Sequence, residues 1–253
     1  MWARLLLITL LLGNTALADP AAEDTPPELR FAVIADVPST ELALELLRTA
    51  YGQLGIDVVT RLVPSRRALL MADIGEVDGD LFRIASVGDQ YPNLMRIPYP
   101  LLEGRLHAIT SNPALVGLRN LDQVTTTGLR VAVRRGVIIA EQTAEALGMT
   151  LVRTDSYGQI LAMLQWQRVD MALISDIEGF SPLTDEAWDS VYVFPELVTD
   201  FTLYHYLHRR HAHLADPLAA VLEELEQTGE KARILERFRA GADPVKPSSG
   251  NPE

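Results

Sequence analysis

The sequence predicts an α/β fold of two lobes, two βαβ-type series in tandem joined by two crossover segments. Three observations predict it. Short β-prone runs alternate with helix-period stretches from Leu29 onward. The alternation gives way to extended sequence broken by Pro98 and Pro100, then resumes near Arg130. A long helical stretch closes the chain after the second series.

The first series opens with a strand over Leu29–Ile34, stopped by Pro38. Ser39 or Thr40 is placed to cap a helix running from Glu41 to Gly55, whose Leu42, Leu46 and Leu47 share one face. Ile56–Leu62 reads as a second strand, Arg66–Glu76 as a helix begun by Pro64-Ser65, and Asp78–Ile84 as a third strand. Leu94–Thr110 divides into two strand pieces around Pro98–Pro100. In the second series Asn120–Val124 is a short helical turn, Arg130–Val133 a strand and Gly136 a turn. Ile138–Leu147 is a helix, Thr150–Arg153 a strand and Tyr157–Gln167 a helix. Met171–Ser175 is apolar throughout, as expected of a strand buried on both faces. Val191–Phe194 and Phe201–His208 are extended. One closing helix is expected to about Ala240, capped by Asp216 with Pro217 at its first position. The crossovers are expected at 104–111 and 179–200. Lobe one is then 28–105 plus 201–241, and lobe two 106–200.

The ends have a different character. Arg4, the apolar run Leu5–Leu12 and Ala16-Leu17-Ala18 form the three-part layout of a secretory signal, with cleavage expected after Ala18. The run is far shorter than the ~20 residues of a membrane span, so no membrane insertion is expected after cleavage, and the location implied is the periplasm. Residues 19–27 and 242–253, rich in Pro and acid, read as a disordered leader and tail. The chain has no cysteine, so stability rests on burial without disulfides. The net charge of -12 and the absence of a basic stripe argue against nucleic acid and anionic membrane surfaces.

Three stretches carry a family resemblance: GEVDGDLFRI followed by YPNLMRIPYP, GLRVAVRRG, and DSYGQILAMLQWQRVDMALISD. With the closing PLAAVLEELEQTGEKARILERF, their order and spacing resemble the type II periplasmic solute-binding proteins, in the branch of amino-acid-binding components of ABC importers. The resemblance covers nearly all of 28–240. It implies a two-lobed fold that closes by hinge bending on a small polar or anionic solute, amino-acid-like or a related organic acid. It also implies an inner-membrane ABC permease or sensor as partner, a monomer, and no cofactor. Two positions depart from the family pattern. Tyr91 stands where the family places the arginine that holds an α-carboxylate, and Val137 stands where it places threonine.

Arg83, at the end of the third strand, is the candidate anion contact, since a guanidinium grips a carboxylate through two parallel hydrogen bonds. Its structural alternative is an ion pair with Asp80 or Asp36. As an anchor, Arg83 should be removable with loss of ligand response and an intact apo fold. Asp176, ending the apolar strand, resembles the family's acceptor for a ligand ammonium; its alternative is a cap or hinge contact. Arg134 and Arg135 precede Gly136 at a helix start, where anions are favoured. Asp36, Arg66, Arg67 and Tyr99 are further candidates on lobe one, Tyr99 being as well suited to packing. His205, His208, His211 and His213 have spacing unsuited to convergent metal ligation, and no metal is expected. No nucleophile elbow, metalloprotease motif or phosphate loop occurs. A non-enzymatic binder is therefore expected. The alternatives are a secreted enzyme of the cyclohexadienyl dehydratase kind using Asp176 or Glu178, and a ligand sensor for a signalling partner.

Overall fold

The computed structural model describes residues 28–34, 37–178 and 188–241. The expected signal, leader and tail, and Asp36, lie outside them. The first half comprises β1 (Glu28–Val33), α1 (Pro38–Gln53), β2 (Asp57–Leu62), α2 (Ser65–Asp73), β3 (Gly79–Ile84), β4 (Leu94–Arg96) and β5 (Leu102–Thr110). The second comprises β6 (Arg130–Arg134), α3 (Ile138–Ala146), β7 (Thr150–Thr154), α4 (Tyr157–Gln165), β8 (Met171–Ser175) and β9 (Tyr192–Val193). β10 (Thr199–His208), α5 (Ala215–Gln227) and α6 (Glu230–Gly241) follow.

The two series fold alike. β1 pairs in parallel with β2 and β3, and β6 in parallel with β7 and β8. Each parallel unit is completed by an antiparallel strand that belongs to the crossings. β10 lies against β3, and β5 lies against β8. β5 and β10 pair with one another, Leu102–Leu106 against Thr199–Leu203, giving the order β2-β1-β3-β10-β5-β8-β6-β7. This is the two-lobed α/β architecture expected, with the halves joined through two long strands.

Burial follows the strand period. Val131 and Val133 pack into one cluster with Leu173 and Phe194, while Ala132 turns to the opposite face with Ile160, Leu164, Ile174 and Trp188. Every residue of β8 is buried, as expected for a strand covered on both faces. The core of the first half gathers Phe31, Leu46, Leu47, Tyr51 and Tyr206. His205 belongs to this core, 4.7 Å edge-on to Phe31. Its Nδ1 lies 3.0 Å from the Leu81 carbonyl and so carries the proton, leaving Nε2 to accept from the Tyr51 hydroxyl at 2.9 Å. Burial lowers its pKa to about 4.

Two expectations about helices are corrected. α1 starts at Pro38 with Val37 before it, and neither Ser39 nor Thr40 caps it. Their hydroxyls go elsewhere, Thr40 Oγ1 donating to the Ile34 carbonyl. The closing helix is two helices: the chain turns at Gly229, whose φ of 75° a helix cannot contain. α5 begins at Ala215, so Asp216 and Pro217 fall inside its first turn.

Candidate functional site

The carboxyl ends of β1, β3, β6 and β8 converge where the halves face each other, the place where open α/β sheets bind ligands. Arg83 lies at this junction, and its guanidinium is already engaged. Nε and Nη2 hold the two Asp80 oxygens at 2.9 Å each, with both side chains almost fully buried (6% and 2% exposed). On an ideal strand residues 80 and 83 point to opposite faces. The β3–β10 register shifts between Tyr206↔Asp80 and Tyr204↔Arg83, so a bulge on β3 returns both to one face. Burial pushes the Asp80 carboxyl above its usual range, while the charge and hydrogen bonds of Arg83 pull it back.

Two further Arg83 donors reach α2: Nη1 to Ser65 Oγ at 2.8 Å and Nη2 to the Ser65 carbonyl at 3.2 Å. Ser65 Oγ then donates to the Gly136 carbonyl of the other half at 3.1 Å. The result is a hydrogen-bond chain Asp80–Arg83–Ser65–Gly136 that ties the halves together, and it takes four of the five guanidinium N–H groups. Ser39 Oγ donates to the Ile177 carbonyl, and Ser86 meets Gln142 at 3.3 Å. Gly136 has φ 83°, and a Cβ there would stand 2.7 Å from Ser65 Cβ. Only glycine permits this approach. The Gly136 amide is taken by Glu141 Oε1 at 2.9 Å, a carboxylate from α3 itself.

Three cavities surround this junction. The first, about 40 Å³, is a chamber between the halves walled mainly by Ile34, Phe82, Ile84, Val137, Ile138 and Phe201, with one edge of Arg83. The second, about 490 Å³, is an open mouth that shares Ile34, Gly136 and Val137 with the chamber and is lined by Arg66, Arg134 and Arg135. The third, about 1140 Å³, is a groove beside β5, β10 and α6. The expected site residues are therefore divided among the three: Arg83 at the chamber, Arg66 and Arg135 at the mouth, Tyr99 and Asp176 at the groove. In the groove both expected residues are already engaged. Asp176 accepts from the Arg105 amide (2.7 Å) and Nε (2.9 Å), and the Tyr99 hydroxyl donates to Glu226, which also holds Lys231. Burial, and then the Glu226 bond, raise the Tyr99 hydroxyl pKa to about 12. At the mouth Arg135 pairs with Asp155 at 2.9 Å and Arg134 stacks on the Tyr157 ring, centroid 5.3 Å away. The Glu178 side chain, like Asp36, lies outside the described residues.

The histidines do not assemble. His205 is a core residue, and His211 Nε2 joins Asp78 at 2.7 Å in a surface network with Arg210. Asp78 is held well below the usual carboxylate range: burial opposes this, but hydrogen bonds from His211, the Arg30 amide and Arg210 outweigh it.

No family model matches the chain. It is 34% identical over 203 residues to an uncharacterized protein of Shewanella oneidensis, covering 78% of this chain and 75% of that one. The chain belongs to the family of that protein. Its fold is the type II periplasmic binding protein fold, shared with two solved structures. The GluR0 ligand-binding core from Nostoc punctiforme in complex with L-glutamate aligns at TM-score 0.67 and 15% identity, covering 87% of this chain and 100% of that one. The amino-acid ABC transporter substrate-binding protein AbpA from Streptococcus pneumoniae, bound to L-arginine, aligns at TM-score 0.66 and 15% identity, covering 86% and 97%. Among the described residues no helix is long and apolar enough to cross a membrane.

Proposed function

We propose that this protein is an exported solute-binding protein. Lobe one (28–105 with 201–241) and lobe two (106–200) swing about β5 and β10 and close on a small organic acid or amino-acid-like solute, which is delivered to an ABC importer. The observation that carries this is the junction itself. Two lobes connected through a pair of long strands each keep their own buried core and meet across a chamber by hydrogen bonds from short side chains, Ser39, Ser65 and Ser86, and by a small apolar contact of Ile138, Ile139 and Ile177. Such a contact can part and re-form as a hinge closes. The ligand-bound neighbours of the same fold support it. The matching of Asp80 to Arg83 and Asp176 to Arg105 supports binding over catalysis, because a general acid or base needs a carboxyl group available to the ligand.

The test is a thermal-shift screen of the chain from Asp19 against amino acids, dicarboxylates, polyamines and aromatic or aliphatic acids, with recovery of each hit. A ligand at ~100 times its dissociation constant adds about 2.7 kcal/mol, a rise of about 5–10 °C for a chain of this size. A hit recovered unchanged supports a binding protein. A hit converted to product overturns it in favour of an enzyme, and a flat screen overturns solute binding.

A further inference from the structure

We infer that the cleft takes an amphipathic organic anion without an ammonium group, its apolar tail in the chamber and its anionic head at the arginine mouth. This rests on the closure proposed above and names the class of solute.

The chamber and the mouth are parts of one path. They share Ile34, Gly136 and Val137, so a molecule whose tail lies among Ile84, Ile138 and Phe201 emerges between Arg66 and Arg134. The chamber wall is mostly hydrocarbon, with Arg83, Ser175 and the Gly136 backbone as its polar members, and among its described residues there is no Asp or Glu to receive an ammonium. The edge of Arg83 does not change this, since its guanidinium is committed to Asp80 and Ser65. The hydrophobic wall suits a tail of a few carbons once the lobes part.

The mouth is basic in an acidic protein. The chain carries -12 overall, yet among the described residues three arginines and one carboxylate, Asp155, line this cavity; Arg135 holds Asp155 and Arg134 is engaged on the Tyr157 ring. Arg66 is exposed and has no hydrogen-bond or ion-pair partner among the described residues. Arg66 and Arg67 occupy the first turn of α2, where the helix has its positive end and no acidic residue to balance them. A guanidinium on each lobe at one opening also lets a single anion bridge the two lobes once the Ser65–Gly136 contact has parted.

The test uses four probes with one carbon skeleton, titrated calorimetrically into the chain from Asp19: 3-methylbutanoate, 3-methylbutyl phosphate, 3-methylbutan-1-ol and L-valine. The two anions are expected to bind, the stronger identifying the head group, and the alcohol and L-valine to bind at least ~10-fold more weakly, the discrimination of one charged hydrogen bond. Arg66→Gln should weaken the anions ~10-fold or more with an unchanged melting temperature, and Arg66→Lys should restore part of the loss. L-valine binding as well as 3-methylbutanoate overturns the ligand class and leaves the binding function standing. So does a screen hit of another class when neither anion binds. Unchanged anion affinity in Arg66→Gln overturns the placement of the head. Failure of all four probes together with a flat thermal screen overturns both proposals.

Discussion

Replacing Gly136 with alanine should open the empty protein, and the effect separates into two parts. The first is local. Gly136 has φ 83°, and an L-residue in that region costs roughly 1–2 kcal/mol in either lobe arrangement. The second exists only when the lobes touch, because the new Cβ would stand 2.7 Å from Ser65 Cβ and 2.8 Å from Ser65 Oγ. Relief of that overlap requires about 1–3 kcal/mol of displacement, and loss of the Ser65–Gly136 hydrogen bond adds about 1 kcal/mol. The closed empty form should therefore fall by about 2–4 kcal/mol relative to the open one, a factor of ~30 to ~1000. Gly128→Ala is the control: it has φ 85° and nothing within 4 Å of its Cβ, so it carries the strain alone. Both variants should melt a few degrees lower. Only Gly136→Ala should lengthen the distance between labels on α1 and α4, read by single-molecule fluorescence transfer without ligand. If both variants keep the wild-type distance, the Ser65–Gly136 contact is not a significant part of the solution ensemble and the closure argument is refuted.

Arg83→Met should destabilise the apo protein by about 3–5 kcal/mol, since it strands a buried carboxyl at Asp80; a urea midpoint equal to wild type would show the pair to be weak. This replaces the expectation that Arg83 could be lost with an intact apo fold. Stability should fall as pH drops from 6.5 to about 4, because the unfolded chain protonates His205 across that window while the folded chain does not. The difference is about 3 kcal/mol, and His205→Gln should flatten that part of the denaturation profile. Ser39→Ala removes one interlobe hydrogen bond without adding bulk and should shift the empty equilibrium toward the open form by ~5-fold, less than Gly136→Ala on the same distance measurement.

The fold was readable where local pattern decides it. The alternation of Leu29–Ile34, the Leu42–Leu46–Leu47 face and the all-apolar Met171–Ser175 each reflect a period that burial enforces, and the structure has β1, α1 and β8 there. The split of the closing helix at Gly229 went unread because one glycine inside a helical pattern is tolerated as often as it breaks it. The site was less legible. The pairing of Arg83 with Asp80 was available only as an alternative, since their spacing puts them on opposite faces of a regular strand. The bulge that unites them depends on the register of β10, well over a hundred residues away. Ser65 and Ser39 read as helix-start residues, and nothing in their neighbours signals that their hydroxyls face another lobe.

A cavity of about 40 Å³ has room for a few waters, at ~10–15 Å³ of such space each, and not for an organic acid of several carbons. On the hinge closure proposed above, the arrangement with Ser65 against Gly136 is a closed form too tight for that solute, and the liganded form holds the lobes further apart. A ligand then competes with the Asp80–Arg83–Ser65–Gly136 chain instead of completing it. Apparent affinity is the intrinsic affinity reduced by the fraction of protein in the competent, parted state. Changes that weaken the latch while leaving the mouth intact should therefore strengthen binding, and Gly136→Ala should bind its solute more tightly than wild type, up to the same ~30- to ~1000-fold by which it depletes the closed empty form. An anchor acting through Arg83 and the Gly136 turn predicts the opposite sign. A titration of Gly136→Ala that shows weaker binding would show that the ligand uses the latch geometry itself.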